Sequence, residues 1–416
     1  MTQQHSRGPG MRRGLFAAGP TRPEAPRRAL ARRGVGVGTM FTVAALALAA
    51  CAGSPDSSDT GGGDDFEPLT SIKLQLQWLP QAQFAGYYVA QEKGYFEEEG
   101  FDDVEIIPSG GDIVPQDALV DGDVDFAIAW VPKVLGTLEA TGVELTDIAQ
   151  VFQKSGTLQV SWKGDGITSV ADFEGKRIGS WGYGNEWEIF AAMAAEDLDS
   201  TSVSITTQDF SMNALLDRDV DAAQAMTYNE WAQILEVKNP DTGQLYQPED
   251  FDVVSYEDTE GAMLQDAVWA DTERLNNDPA YADAAVRFLK AITKGWVYAR
   301  DNAEESASIV YDIASTAEAA FPVGPVHQQW MMNEVNKLIW TGADFGLVDE
   351  AAWNKTVDGA LSAKNQDDLE LITQKPADSA YSNEYIQKAL DELKAEGVEV
   401  SGEYTPIDVA LTEGGQ

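Results

Sequence analysis

The sequence predicts an α/β protein of two lobes with a helical C-terminal region. Three observations carry this reading. Between residues 71 and 152, short apolar runs bounded by turn residues alternate with helical patterns. A second set of the same kind fills residues 158–255, and beyond Asp271 the pattern is helical throughout. Alternation of strand and helix implies parallel sheets with helices on both faces.

The elements follow in order. Residues 72–78 alternate apolar and polar side chains and read as a strand. Residues 83–93 set Phe84, Tyr87 and Tyr88 on one helical face, and Gly94 stops the helix. A strand at 104–107 ends at Pro108, a helix follows at 113–120, and 125–130 is an apolar strand. Proline opens a helix at 132–140, and 145–152 is a strand. In the second set, 158–162, 177–180, 203–207 and 222–226 read as strands, and 186–195, 212–216 and 230–237 as helices. Residues 238–250 form a polar loop, and 251–255 and 262–270 read as strands returning to the first unit. Helices are expected at 281–300, 303–315, 327–340, 350–361 and 384–396. The expected organisation is one lobe from residues 71–155 plus 256–416, with the C-terminal helices, and a second from 156–255. Two lobes joined by two crossings leave a cleft at the ends of their strands, where ligands bind in open α/β sheets.

Charge narrows the function. The chain of 416 residues carries 28 Lys plus Arg against 69 Asp plus Glu, a net charge of -41. Without the first fifty residues, which hold eight Arg and one acid (Glu24), the balance is 20 against 68, or -48. Such a surface repels phosphate backbones, which excludes nucleic-acid binding. The single cysteine, Cys51, excludes an intramolecular disulfide and a thiolate cluster, and the two histidines, His5 and His327, exclude a His-rich metal site.

The N-terminus reads as an address. Residues 34–50 carry no charge, follow an Arg-rich stretch and end in Leu48-Ala49-Ala50 before Cys51. The run suits a signal-peptide core. The expectation is a signal peptide at 1–50 and a flexible linker at 51–70, rich in Gly, Ser and Asp.

The candidate site residues collect at strand ends. Trp78, Gln81 and Gln83 lie where the first strand breaks at Pro80. Trp78 is either a core residue or a ligand stacker, and the two amides can face the cleft. Gly110 and Gly111, between a strand and a helix, allow backbone N–H groups to approach a ligand, or simply make a tight turn. Trp130 ends an apolar strand as a lid on the core or a stacking ring. Glycines alternate with aromatics around Tyr183, Asn185 and Glu186, and Tyr228 and Asn229 repeat the arrangement at the next strand end. Glu186 is also readable as a first-turn carboxylate, and Asn229 as an N-cap. Rings, amides and carboxylates with only Lys133 as a nearby cation favour a planar, nitrogen-rich, neutral or weakly cationic ligand over an anion.

These segments carry a resemblance. LQLQWLPQAQFAGYYVAQEKGYFEEEGFDDVEI, GDVDFAIAW, GSWGYGNEWE and AMTYNEW resemble the solute-binding proteins of bacterial ABC importers in the thiamine-pyrimidine, riboflavin, nitrate and sulfonate group, over about residues 72–300. The resemblance implies a two-lobed periplasmic-binding-protein fold of type 2 and a ligand of the thiamine-pyrimidine or riboflavin class. It also implies delivery to an ABC permease with its ATPase, no cofactor, no catalysis and a monomer. Leu48 to Cys51 looks like a bacterial lipobox, which implies lipidation at Cys51 and anchoring on the extracytoplasmic face of the membrane. Carried over by motif, Trp78, Gln81, Trp130, Tyr183, Asn185, Glu186, Tyr228 and Asn229 line the cleft. Gln77 departs from the pattern, since pyrimidine binders often have Asp there. A eukaryotic branch synthesises the thiamine pyrimidine with a site histidine and cysteines near the site; this chain has neither motif.

Overall fold

The computed structural model describes residues 66–109, 114–317 and 324–416. The predicted signal peptide, Cys51, Gly110 and Gly111 lie outside the described residues.

Two five-stranded sheets organise the chain. The first combines β1 (Ser71–Gln75), β2 (Asp103–Ile107), β3 (Phe126–Trp130), β4 (Leu145–Gln150) and, from far along the chain, β10 (Asp266–Asp271), in the order β2-β1-β3-β10-β4. The second holds β5 (Thr157–Trp162), β6 (Arg177–Ser180), β7 (Ser204–Thr207), β8 (Ala222–Met226) and β9 (Phe251–Ser255), in the order β7-β6-β8-β5-β9. Helices α1 (Ala85–Glu92), α2 (Tyr95–Glu98), α3 (Pro115–Val120) and α4 (Val131–Thr141) connect the first sheet. Helices α5 (Trp187–Ala195), α6 (Asn213–Leu216) and α7 (Glu230–Leu235) connect the second. The remainder is α8 (Thr272–Asn277), α9 (Pro279–Asp301), α10 (Ala303–Thr316), α11 (Pro325–Ile339), α12 (Glu350–Ser362) and α13 (Glu384–Ala395).

The sheets are mixed, not parallel as the alternation implied. β10 enters the first sheet from the second and lies antiparallel between β3 and β4. β5 enters the second sheet the same way and is antiparallel to both β8 and β9. Each crossing reverses the direction in which the chain meets the sheet. β9 pairs with β5 along its whole length and so stays in the second sheet. The strand expected at 262–270 begins only at Asp266, because residues 262–265 form the return crossing. β1 stops at Gln75, which leaves Trp78 in a bend beyond it. The short helix α8 went unforeseen; Asp271 starts it by accepting from the Arg274 N–H at 2.8 Å.

The two crossings meet at one carboxylate. Glu188, on α5, is buried and accepts from the Met263 backbone N–H (3.1 Å), the Gln265 amide (3.1 Å) and the Thr157 hydroxyl (2.5 Å). Gln265 in turn accepts from the Gly156 N–H at 2.9 Å. Burial raises the Glu188 carboxyl, and these hydrogen bonds oppose the rise.

Behind the first sheet, Phe126 stacks on Phe288 of α9 (4.5 Å between centroids, 3° between planes), and Phe288 stacks on Phe96 at 6.0 Å. α9 presses on α1 so closely that a Cβ at Gly295 would lie 2.0 Å from the Gly86 carbonyl oxygen, and one at Gly86 would enter the Trp296 ring at 2.2 Å. Among the described residues, no helix is long and apolar enough to cross a membrane.

Candidate functional site

The strand ends of both sheets border one cleft of about 470 Å³, a size ordinary for small-molecule sites. The first sheet contributes Gln77 and Trp78 beyond β1, Gln81 and Gln83 in the turn before α1, Gln116 on α3, Trp130 at the end of β3 and Lys133 on α4. The second contributes Trp181, Tyr183 and Asn185 beyond β6, Trp187 on α5, Phe210 after β7, and Tyr228, Asn229 and Glu230 after β8.

Asp266, the buried first residue of β10, does not itself line the cleft but bonds three residues that do. Its carboxylate accepts from Gln77 Nε2 (2.5 Å), Gln83 Nε2 (2.9 Å) and Trp130 Nε1 (2.8 Å). Burial pushes its carboxyl up to about 6, against those three donors and the charge of Lys133. Gln83 is thereby consumed: its Nε2 goes to Asp266, and its Oε1 accepts from Gln81 at 2.7 Å. Gln77, flagged as a departure from the expected acid, is the amide that meets this carboxylate. A second acid at position 77 would set two carboxylates against each other.

Trp130 forms cleft wall with its N–H tied down, and the Lys133 ammonium stands 5.2 Å from its ring centroid. Burial lowers Lys133 to about 8, while Glu186 and Asp266 oppose that fall. Across the cleft, Trp78 meets Phe210 at 4.4 Å between centroids, and Phe210 meets Trp181 at 6.3 Å.

The loop after β6 is shaped by Gln224 of β8. Its side chain accepts from the Ser180 hydroxyl and the Trp181 N–H, and donates to the Asn185 carbonyl at 2.7 Å. Gly182, Tyr183 and Gly184 all have left-handed backbone (φ +72°, +55° and +84°). This is uncommon for a tyrosine, and Tyr183 is 88% exposed at the cleft rim. Asn185 turns its amide onto the Gly182 carbonyl at 2.7 Å. Glu186 stands just before α5 without capping it and does not line the cleft. Its carboxylate bears electrostatically on Lys133.

Asn229 stands at the start of α7, but its side chain does not cap that helix. Its Nδ2 donates to Glu230 Oε1 at 3.0 Å, and Glu230 Oε2 accepts from the Met226 N–H at 2.9 Å. Burial raises Glu230 to about 7, opposed by the backbone N–H groups of Met226 and of Glu230 itself. Among the buried polar atoms of the wall residues, two make no hydrogen bond within the described residues: the Trp181 indole N–H, a donor, and Gln116 Oε1, an acceptor.

Of the expected site residues, Trp78, Gln81, Gln83, Trp130, Tyr183, Asn185, Tyr228 and Asn229 come together in this cleft, and Glu186 does not line it. Sequence reasoning passed over Phe210, Gln116 and Asp266. It quoted Trp181, Trp187, Glu230 and Lys133 without assigning them. Among the described residues no cluster of His, Cys, Asp and Glu could hold a metal ion.

A family model described as NMT1/THI5 like matches residues 81–306, more than half of the chain. A formylaminopyrimidine-binding protein from Halalkalibacterium halodurans is 22% identical over 318 residues, covering 76% of this chain and 90% of that protein. A 4-amino-5-hydroxymethyl-2-methylpyrimidine phosphate synthase from Saccharomyces cerevisiae is 32% identical over 109 residues, 26% of this chain and 32% of that enzyme. Among solved structures, the ligand-binding component of an ABC-type import system from Staphylococcus aureus superposes with a TM-score of 0.54 at 12% identity. It covers 77% of this chain and 99% of that one.

Proposed function

The chain belongs to the NMT1/THI5-like family, and from that premise we propose that it is an extracytoplasmic solute-binding protein that holds a planar aminopyrimidine between its lobes and delivers it to an ABC importer. Its fold is the periplasmic-binding-protein fold of type 2 with a helical C-terminal extension. In this reading residues 71–155 plus 256–416 form one lobe and 156–255 the other. The ligand is bound and released without turnover, with no cofactor, by a monomer.

One observation carries the reading: a cleft walled by Trp78, Trp130, Trp181, Phe210 and Tyr228 has, among the buried polar atoms of its wall residues, an unanswered donor, the Trp181 N–H, and an unanswered acceptor, Gln116 Oε1. An aminopyrimidine supplies a flat face for the rings, ring nitrogens that accept and an amino group that donates. The carboxylate of Glu230 is a second acceptor for such an amino group. Anionic ligands find a single ammonium, Lys133, already neighboured by Glu186 and Asp266, which weighs against the nitrate and sulfonate class. A synthase reading needs a histidine in the cleft. His327 is fully buried and is not part of the cleft wall.

Cys51 carries a lipid in this proposal and anchors the mature protein to the outer face of the cell membrane. The test is calorimetric titration of the purified protein with 4-amino-5-hydroxymethyl-2-methylpyrimidine, its formylamino analogue, riboflavin and taurine. Micromolar or tighter binding of a pyrimidine supports the proposal. Binding of riboflavin alone reassigns the ligand class, and binding of taurine alone overturns the map of the cleft.

A further inference from the structure

The helical C-terminal region reaches the cleft from behind through one turn of α11. His327, with 0% exposure, places Nε2 3.0 Å from Asn229 Oδ1 and Nδ1 2.9 and 3.1 Å from the two Glu236 carboxylate oxygens. An amide oxygen only accepts, so the Nε2–H donates. The next residue, Gln328, accepts from the Ala82 N–H at 2.8 Å, in the turn that carries Gln81 and Gln83. Trp330 donates to the Thr227 carbonyl at 3.0 Å. This turn therefore touches both walls of the cleft. Gly415, near the end of the chain, closes over the histidine so tightly that a Cβ there would lie 2.6 Å from His327 Cβ.

We propose that His327 is a positioning residue of the cleft: its hydrogen bond to Asn229 Oδ1 fixes the direction of the Asn229 carboxamide, so that Nδ2 faces the Glu230 carboxylate. A carboxamide can turn over and exchange its oxygen for its nitrogen with little change of shape. Turned over, Asn229 would set an acceptor against Glu230 and an N–H against His327. Gln233 Nε2 donates to the same Asn229 oxygen at 3.1 Å from a less buried place on α7, so removing His327 leaves one donor where there were two. Glu230 is otherwise faced by the Met226 N–H on β8, its own backbone N–H and the neighbouring Tyr228 phenol. The direction of the Asn229 amide is then the adjustable contribution to its ionisation. The proposal rests on the functional reading above only where it calls Glu230 ligand-facing.

The test reads ligand-free protein. In the full chain labelled with ¹³C at glutamate carboxyls, the Glu230 signal is assigned by its loss in Glu230→Gln and titrated from acid to alkaline pH. His327→Leu is expected to move the Glu230 midpoint upward by about half a pH unit, because the ionised form loses its fixed donor. His327→Gln, which can donate an amide N–H to the same oxygen, is expected to restore the wild-type midpoint. An unmoved midpoint in the Leu variant, or an equal movement in the Gln variant, overturns the proposal. Should the Leu variant not fold, His327→Asn, too short to reach Asn229, takes its place with the same expected shift. Since no ligand enters the measurement, its outcome is separate from whether a pyrimidine binds.

Discussion

The Trp78 indole and the Phe210 ring lie 4.4 Å apart at 52°, so an aromatic contact joins the bend beyond β1 of the first sheet to the loop after β7 of the second. Aromatic pairs contribute about 0.5–1.5 kcal/mol beyond their buried area. Phe210→Ala is therefore expected to weaken pyrimidine binding roughly 2- to 10-fold while leaving the circular dichroism spectrum unchanged. Calorimetry on the variant checks this, and an unaltered affinity would remove Phe210 from the site.

Tyr183 combines left-handed backbone with an exposed ring. A non-glycine residue in that conformation costs about 1 kcal/mol. Tyr183→Gly should thus raise the melting temperature by about 1–3 °C without ligand, and weaken ligand binding if the ring covers the bound molecule. Opposite signs in the two measurements are the expected signature. A fall in both would mean that Tyr183 packs in the ligand-free protein.

The Asp266 carboxyl titrates at about 6 against a reference of 3.8. The folded state holds this proton more tightly than the unfolded chain, so its contribution to stability is fully present below about pH 4 and is lost as the pH rises to about 6. Asp266→Ala abolishes that dependence and strands three donors. The variant should be less stable than wild type at pH 4. The gap should narrow by about 3 kcal/mol, to order of magnitude, between pH 4 and pH 7. Urea unfolding of both proteins across this range decides it, and a gap that widens with pH contradicts the assignment.

Gly295→Ala is expected to destabilise by more than about 3 kcal/mol, because its Cβ would fall 2.0 Å from the Gly86 carbonyl oxygen and force α9 from α1. Pocket substitutions such as Phe210→Ala should show no loss of that size. A Gly295→Ala protein with wild-type melting behaviour would show that α1 and α9 can part cheaply.

Cys51→Ala is expected to move the protein from the membrane fraction to the soluble extracytoplasmic fraction. Cell fractionation with immunoblotting reads this directly, and retention in the membrane would argue against lipid attachment at Cys51.

Much of the fold was legible because its signals are local. The α9 pattern at 281–300 and the α13 pattern at 384–396 fell within a few residues of the observed helices. Apolar periodicity over many residues needs no tertiary context. Strand direction was not local: nothing within Asp266–Asp271 says that it runs antiparallel between β3 and β4, since that depends on where the chain comes from. The site divides in the same way. Trp78, Trp130 and Tyr228 were visible as rings at strand ends. Phe210 was not, since it stands in a polar stretch with no period around it. Asp266 was hidden because its role is created by Gln77, Gln83 and Trp130, which lie more than 130 positions away. His327 was noticed as the sole histidine of the helical region, but its link to Asn229 spans 98 positions.

Both passages of the chain between the sheets bond to the carboxylate of Glu188. Two tethers fastened to one point do not act as two independent joints. Loss of that one carboxylate would free both passages at once, since each would lose the partner that holds it.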